Sequence, residues 1–230
     1  MSRAMKLMGA VVVAGAVLMG PALASTNTVA LGTAGIKNSY HDFSNDSWNT
    51  ANHTLCGVCH SMHNATIGAS IPLWSHATAV SGSFTPYTSP TMSQTIGTPT
   101  GITLACLSCH DGVTAINAYN GTTNGTPTKI ASTSIGYVGT DLRGSHPVSF
   151  NYVTSASANN LIRPATSVAD ATVPGFGSGT IAQKMLIGGT QLECSSCHDI
   201  HRQKGDSMNN TAYTVANSAN GQLCLICHIK

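Results

Sequence analysis

Hydrophobic positions along this chain keep no long helical or strand period. The one sustained apolar run lies at the start, residues 7–20, behind Arg3 and Lys6 and ahead of Pro21-Ala22-Leu23-Ala24-Ser25. A charged lead, a short apolar stretch and an Ala-x-Ala site together describe a secretory signal peptide. The run is shorter than the ~20 apolar residues a bilayer-spanning helix needs. No second such run follows, so no transmembrane segment is expected. Residues 1–24 are read as the signal peptide, with export of the remaining 206. Downstream, residues 77–101 and 153–180 are weakly periodic and full of turn formers. A Gly/Thr/Ser/Asn-rich stretch, 117–140, reads as a connection, with a short hairpin expected near 129–138.

Composition sharpens that picture. Only 8% of residues are charged and 5% aromatic. Leu, Ile, Val and Phe make up about a fifth, near the level at which a chain struggles to bury its own core. Something other than side chains must supply apolar mass, and large flat cofactors would do so. The formal charge of +2 includes Arg3 and Lys6; without them, eight basic residues face eight acidic ones. No basic cluster of the kind that grips phosphates occurs, which excludes nucleic acid as a partner.

The eight cysteines decide the chemistry. All fall in CxxCH units: Cys56-Gly-Val-Cys59-His60, Cys106-Leu-Ser-Cys109-His110, Cys194-Ser-Ser-Cys197-His198 and Cys224-Leu-Ile-Cys227-His228. Two thiols at this spacing can bond to the two vinyl-derived carbons of one haem, with the adjacent His beneath the iron as proximal ligand. Four disulfides or paired zinc-binding CxxC units would leave the His after every second Cys unexplained. Four covalent haem c groups account for all of them. Short helices are expected at these segments, because two thioethers and a ligand need one helical turn. The fold class expected is a haem-cored multihaem cytochrome c of low secondary structure, mostly coil with a few short strands.

The flanks repeat. The first and third units read CxxCHxxH, ending in His63 and His201, and each is preceded by another His, His41 or His146. The chain divides into an N-terminal dihaem unit (25–116), the linker 117–140 and a C-terminal dihaem unit (141–230). Four irons need four distal ligands, and the duplicated unit offers His41, His63, His146 and His201. His63 and His201 each lie three residues after a proximal His, on the same face of a helical turn, where each is placed to cap an adjacent haem. His76 is the rival for the place of His41. His53 reads as a surface or haem-edge residue. Met62 and Met92 could ligate iron and raise its potential, but spare histidines outnumber the irons. Trp74, Phe84, Tyr87 and Phe150 read as packing against haem.

Cys56-GVCHSMHNA, Pro72-LWSH, Tyr87-TSPTM, Leu104-ACLSCHDG, Ser145-HPVSF and Cys194-SSCHDIH resemble the doubled-CxxCH multihaem cytochromes of metal-reducing bacteria. Within that family the chain is similar to the outer-surface tetrahaem cytochromes that polymerise into filaments. The resemblance implies bis-His haems in a stack running from subunit to subunit, with one iron capped by a neighbour's His. His41 is the candidate for that donor. The partners implied are identical subunits, other cytochromes or an extracellular acceptor, at the cell surface. A monomeric periplasmic shuttle is the alternative, with low charge against it, since transient partners find each other through charged patches. A multihaem reductase needs an iron with an open position, and no unit is short of a ligand, so no enzyme is expected.

Overall fold

A computed structural model describes residues 35–49, 54–65, 71–168, 179–201 and 221–229. The expected signal peptide and His53 lie outside the described residues. Regular elements are short: α1 (Gly101–His110), β1 (Ala118–Tyr119), β2 (Thr122–Thr123), β3 (Phe150–Asn151), α2 (Tyr152–Ala158), α3 (Ile181–Lys184), β4 (Gln191–Leu192), α4 (Cys194–Cys197) and α5 (Gln222–Leu225). Among the described residues no helix is long and apolar enough to cross a membrane.

The longest element carries the second CxxCH unit. After α1, Gly112 adopts φ +69° under the Tyr137 ring, where any Cβ would stand 2.3 Å from a ring carbon. A glycine past the helix end is the usual stop, because left-handed backbone strains other residues. The buried Asp111 carboxylate locks the turn by accepting from Val113 N, Thr114 N and Thr114 Oγ1 at 2.7–2.8 Å. Thr180 and Gln183 form a reciprocal capping box that starts α3, and Asn151 caps α2 by accepting from Thr154 N.

Residues 117–140 fold onto the N-terminal half. The hairpin lies at β1–β2, not at 129–138, where the described chain runs through turns. Its loop is Asn120-Gly121, with φ of +56° and +76°, the backbone a two-residue hairpin favours. Asn117 is fully buried, donates to Asn124 O and Thr126 O, and accepts from Thr128 N. Tyr119 donates its hydroxyl to Asn49 Oδ1 at 2.8 Å between two buried side chains.

Two apolar clusters form the side-chain core. A small one joins Ala79, Phe84, Leu107 and Leu142. A larger one joins Tyr152, Ala165, Ile181, Met185, Leu186, Leu192, Ile226 and Cys227, with Phe150 and Cys197 against it. Leu142 belongs to the N-terminal cluster although it follows the expected linker, and its N–H donates to Thr85 O. The halves also meet where α1 packs on α4. There Glu193, 5% exposed, accepts from Thr103 N, Thr103 Oγ1 and Ser149 Oγ. It also accepts from Ser196 N at the start of α4. One carboxylate thus serves the N-termini of two helices, each carrying a CxxCH unit.

Candidate cofactor site

Each CxxCH segment winds a helical turn. His60 N–H donates to Cys56 O, His198 N–H to Cys194 O and His228 N–H to Cys224 O at 2.9–3.0 Å, while Cys106 to His110 form the end of α1. Residues i, i+3 and i+4 of such a turn share a face, so two thiols and an imidazole are presented together. None of the eight thiols is joined to another. Burial raises Cys59 and Cys227 to about 11 and Cys197 to about 12, and it pushes Cys109 higher still. Cys106 is raised by its hydrogen bond with Cys194 and by burial.

Among the described residues, His110, His60 and His228 each face a second histidine ring. His41 lies 6.0 Å from His110 between ring centroids, His201 lies 6.4 Å from His60, and His146 lies 6.3 Å from His228. Metal–nitrogen bonds of about 2 Å, with about 1 Å more from nitrogen to ring centre, put two imidazoles on opposite sides of one metal about 6 Å apart. Rings at this spacing could share one metal, although His60 and Trp74 also stand 6.4 Å apart and ordinary ring pairs span the same range.

The supporting hydrogen bonds agree with it. His60 Nδ1 lies 2.8 Å from Pro72 O, His110 Nδ1 2.5 Å from Gly136 O, and His146 Nδ1 2.8 Å from Pro147 O. A carbonyl only accepts, so in each ring Nδ1 carries the proton and Nε2 keeps the lone pair a metal requires. Burial, with smaller contributions from His110 and His201, lowers His41 to about 4. Burial and then His146 lower His228. Both are thus neutral at pH 7, the ligand form. His201 differs: the hydrogen bond its ring gives to the Asp199 carboxylate raises it, against its partial burial.

The expected ligands can now be placed. His41 sits against His110 of its own chain, and the turn of residues 35–46 folds back on itself through Ser39 N to Ile36 O and Asp42 N to Ser39 O. His201, from the C-terminal half, faces His60 of the N-terminal half, a pairing that sequence spacing alone did not assign. His63 is exposed and is not brought against a proximal ring. The rival His76 is 1% exposed, with Nδ1 2.8 Å from Ala77 O and Nε2 3.0 Å from Ile116 O. Both its nitrogens lie against backbone carbonyls, and Nε2 also stands 3.5 Å from Cys109 Sγ in the second CxxCH unit. Met62 is 82% exposed. Phe84 and Phe150 belong to the side-chain clusters, and Tyr87 lines a small hollow with Ile96, Leu142 and His146.

Three buried polar atoms lie at these segments without a hydrogen-bond partner: Trp74 Nε1, Ser195 Oγ and Gln222 Oε1. Trp74 stands edge-on to His60 at 6.4 Å, Ser195 lies inside the third CxxCH unit, and Gln222 lies two residues before the fourth. Buried polar groups are normally satisfied, so these atoms mark places where a further group belongs. Paired thiols, facing imidazoles of which His60, His110 and His146 give Nδ1–H to carbonyls, and unsatisfied polar atoms beside them all fit covalently held haem.

No protein-family model matches the chain, and neither does any curated protein.

Proposed function

We propose that this chain is a tetrahaem c-type cytochrome whose work is electron transfer. The observation that carries the reading is that His110, His60 and His228, each a CxxCH histidine, face His41, His201 and His146. Bound haem c would supply a one-electron iron couple at each unit. Cys56 and Cys59, Cys106 and Cys109, Cys194 and Cys197, and Cys224 and Cys227 would hold the four groups. His60 with His201, His110 with His41 and His228 with His146 would ligate three irons. The duplicated unit offers His63 as a further distal ligand. Histidine on both faces leaves no open coordination position, which favours electron transfer over substrate chemistry.

The experiment is mass spectrometry and visible spectroscopy of the protein purified from an exporting host that matures cytochromes c. Four haem masses above the cleaved chain and a low-spin spectrum with no high-spin component are expected. A haem-free protein, or one with zinc or four disulfides in place of haem, would refute the proposal.

We further propose that the protein is exported and acts in extracellular electron transfer, as the resemblance to surface filament cytochromes implies, with identical subunits and an external acceptor as partners. The alternative is a monomeric periplasmic shuttle. Negative-stain microscopy of protein sheared gently from cells separates them: regular filaments support the conduit, discrete particles the shuttle.

A further inference from the structure

The two CxxCHxxH units are built alike and differ by one charge. In the first, His63 N–H donates to Ser61 Oγ at 3.2 Å; in the third, His201 N–H donates to Asp199 Oδ1 at 3.0 Å. Ser61 and Asp199 are equivalent residues, each following the proximal His and each closing the same local turn. Only the carboxylate also reaches its ligand's ring, with Asp199 Oδ1 3.4 Å from His201 Nδ1. The other three supported rings, His60, His110 and His146, rest on neutral carbonyls of Pro72, Gly136 and Pro147. Asp199 is also the more covered partner, with its side chain 22% exposed against 49% for His201, so solvent screens it only in part.

We propose that Asp199 is a tuning residue that lowers the reduction potential of the His60–His201 site. The inference rests on the haem reading above. A carboxylate on the far nitrogen of a ligating imidazole makes that imidazole a stronger donor. It also places a negative charge near an iron that carries one more positive charge when oxidised. Both effects favour the oxidised form, and hydrogen bonding and net charge are established levers on such potentials.

The test is a spectroelectrochemical titration of the haem-loaded full-length protein and its Asp199→Asn variant. Asparagine keeps the turn-closing acceptor and removes the charge. One of the four midpoints should rise by about tenfold in its one-electron equilibrium, or about 59 mV, while the other three stay put. The wave that moves should be the one displaced by His201→Met, since a thioether ligand raises potential at that iron. Asp199→Ser, copying Ser61, should give the same shift. Four unmoved midpoints, or all four rising together, would overturn the tuning role while leaving the haem assignment intact. Loss of one low-spin signal in Asp199→Asn would also overturn it, by showing that the residue seats His201 sterically. Wild-type protein lacking four haems would overturn the underlying reading instead.

Discussion

Replacing Glu193 is the sharpest test of how the two halves are held together. Its carboxylate accepts from Thr103 N and Thr103 Oγ1 in the first turn of α1, from Ser149 Oγ, and from Ser196 N in α4. In Glu193→Ala the loss of a cap costs about 1 kcal/mol for each of two helices. The charge no longer meets two helix N-termini, worth up to ~2 kcal/mol in a partly buried setting. At least one donor is stranded, at about 1–3 kcal/mol. Ser149 is spared, because its hydroxyl also lies 3.4 Å from Thr100 O and can turn to it. These effects overlap, so the expected destabilisation is about 3–5 kcal/mol. Glu193→Gln keeps one acceptor and should lose about 1–3 kcal/mol. The assay is urea denaturation of the haem-loaded protein, followed at once by far-ultraviolet circular dichroism and the haem band. Thioether-held haem would stay on the unfolded chain, and coincident curves license a two-state treatment. Val153→Ala, at an exposed position, serves as the control within about 0.5 kcal/mol. A Glu193→Ala midpoint indistinguishable from that control would refute the reasoning.

Four further outcomes are expected. Single His41→Ala, His146→Ala and His201→Ala variants should each convert one haem in four from low-spin to high-spin, read by electron paramagnetic resonance. His63→Ala should do the same at the fourth iron, and an unchanged spectrum there would leave His198 to another ligand. His76→Ala should leave every spin state unchanged yet cost about 2–4 kcal/mol of stability, through a cavity and the one backbone carbonyl that loses its N–H partner. Tyr119→Phe, which strands Asn49 Oδ1, should cost about 1–3 kcal/mol in the same assay.

The chemistry-bearing residues were legible in the sequence because CxxCH is local: four bonds' worth of geometry lies within five residues. The stop of α1 was readable for the same reason, from Asp111-Gly112. The hairpin was misplaced because the turn-rich stretch 129–138 drew attention from Asn120-Gly121, the stronger two-residue signal. Ligand pairing was not legible. Repeat logic suggests that His41 and His146 play equivalent parts, and they do face the second and fourth units. Spacing cannot show, however, that His201 crosses about 140 residues of chain to meet His60. Nor can it separate His41 from His76, since both are single histidines in aromatic settings. Burial decides between them, and burial depends on Ile116 and Ala77 closing over His76.

That crossing has a consequence for how the units depend on each other. If the chain were two independent dihaem modules, deleting one attachment would affect that module alone. The structure instead brings His201, three residues beyond His198, against His60, so in the proposed assignment the first unit's distal ligand rides on the turn that Cys194 and Cys197 would anchor. Cys194→Ser with Cys197→Ser should therefore remove one haem by mass and also disturb a second, because His201 loses the anchored turn that aims it at His60. The expected spectrum has three haems, of which one shows high-spin or mixed-spin character. His110–His41 should stay low-spin, since α1 and the turn of residues 35–46 supply both rings without the third unit. Three haems, all cleanly low-spin, would mean that His201 reaches His60 without help from its own unit. The halves would then share a ligand but not a folding step.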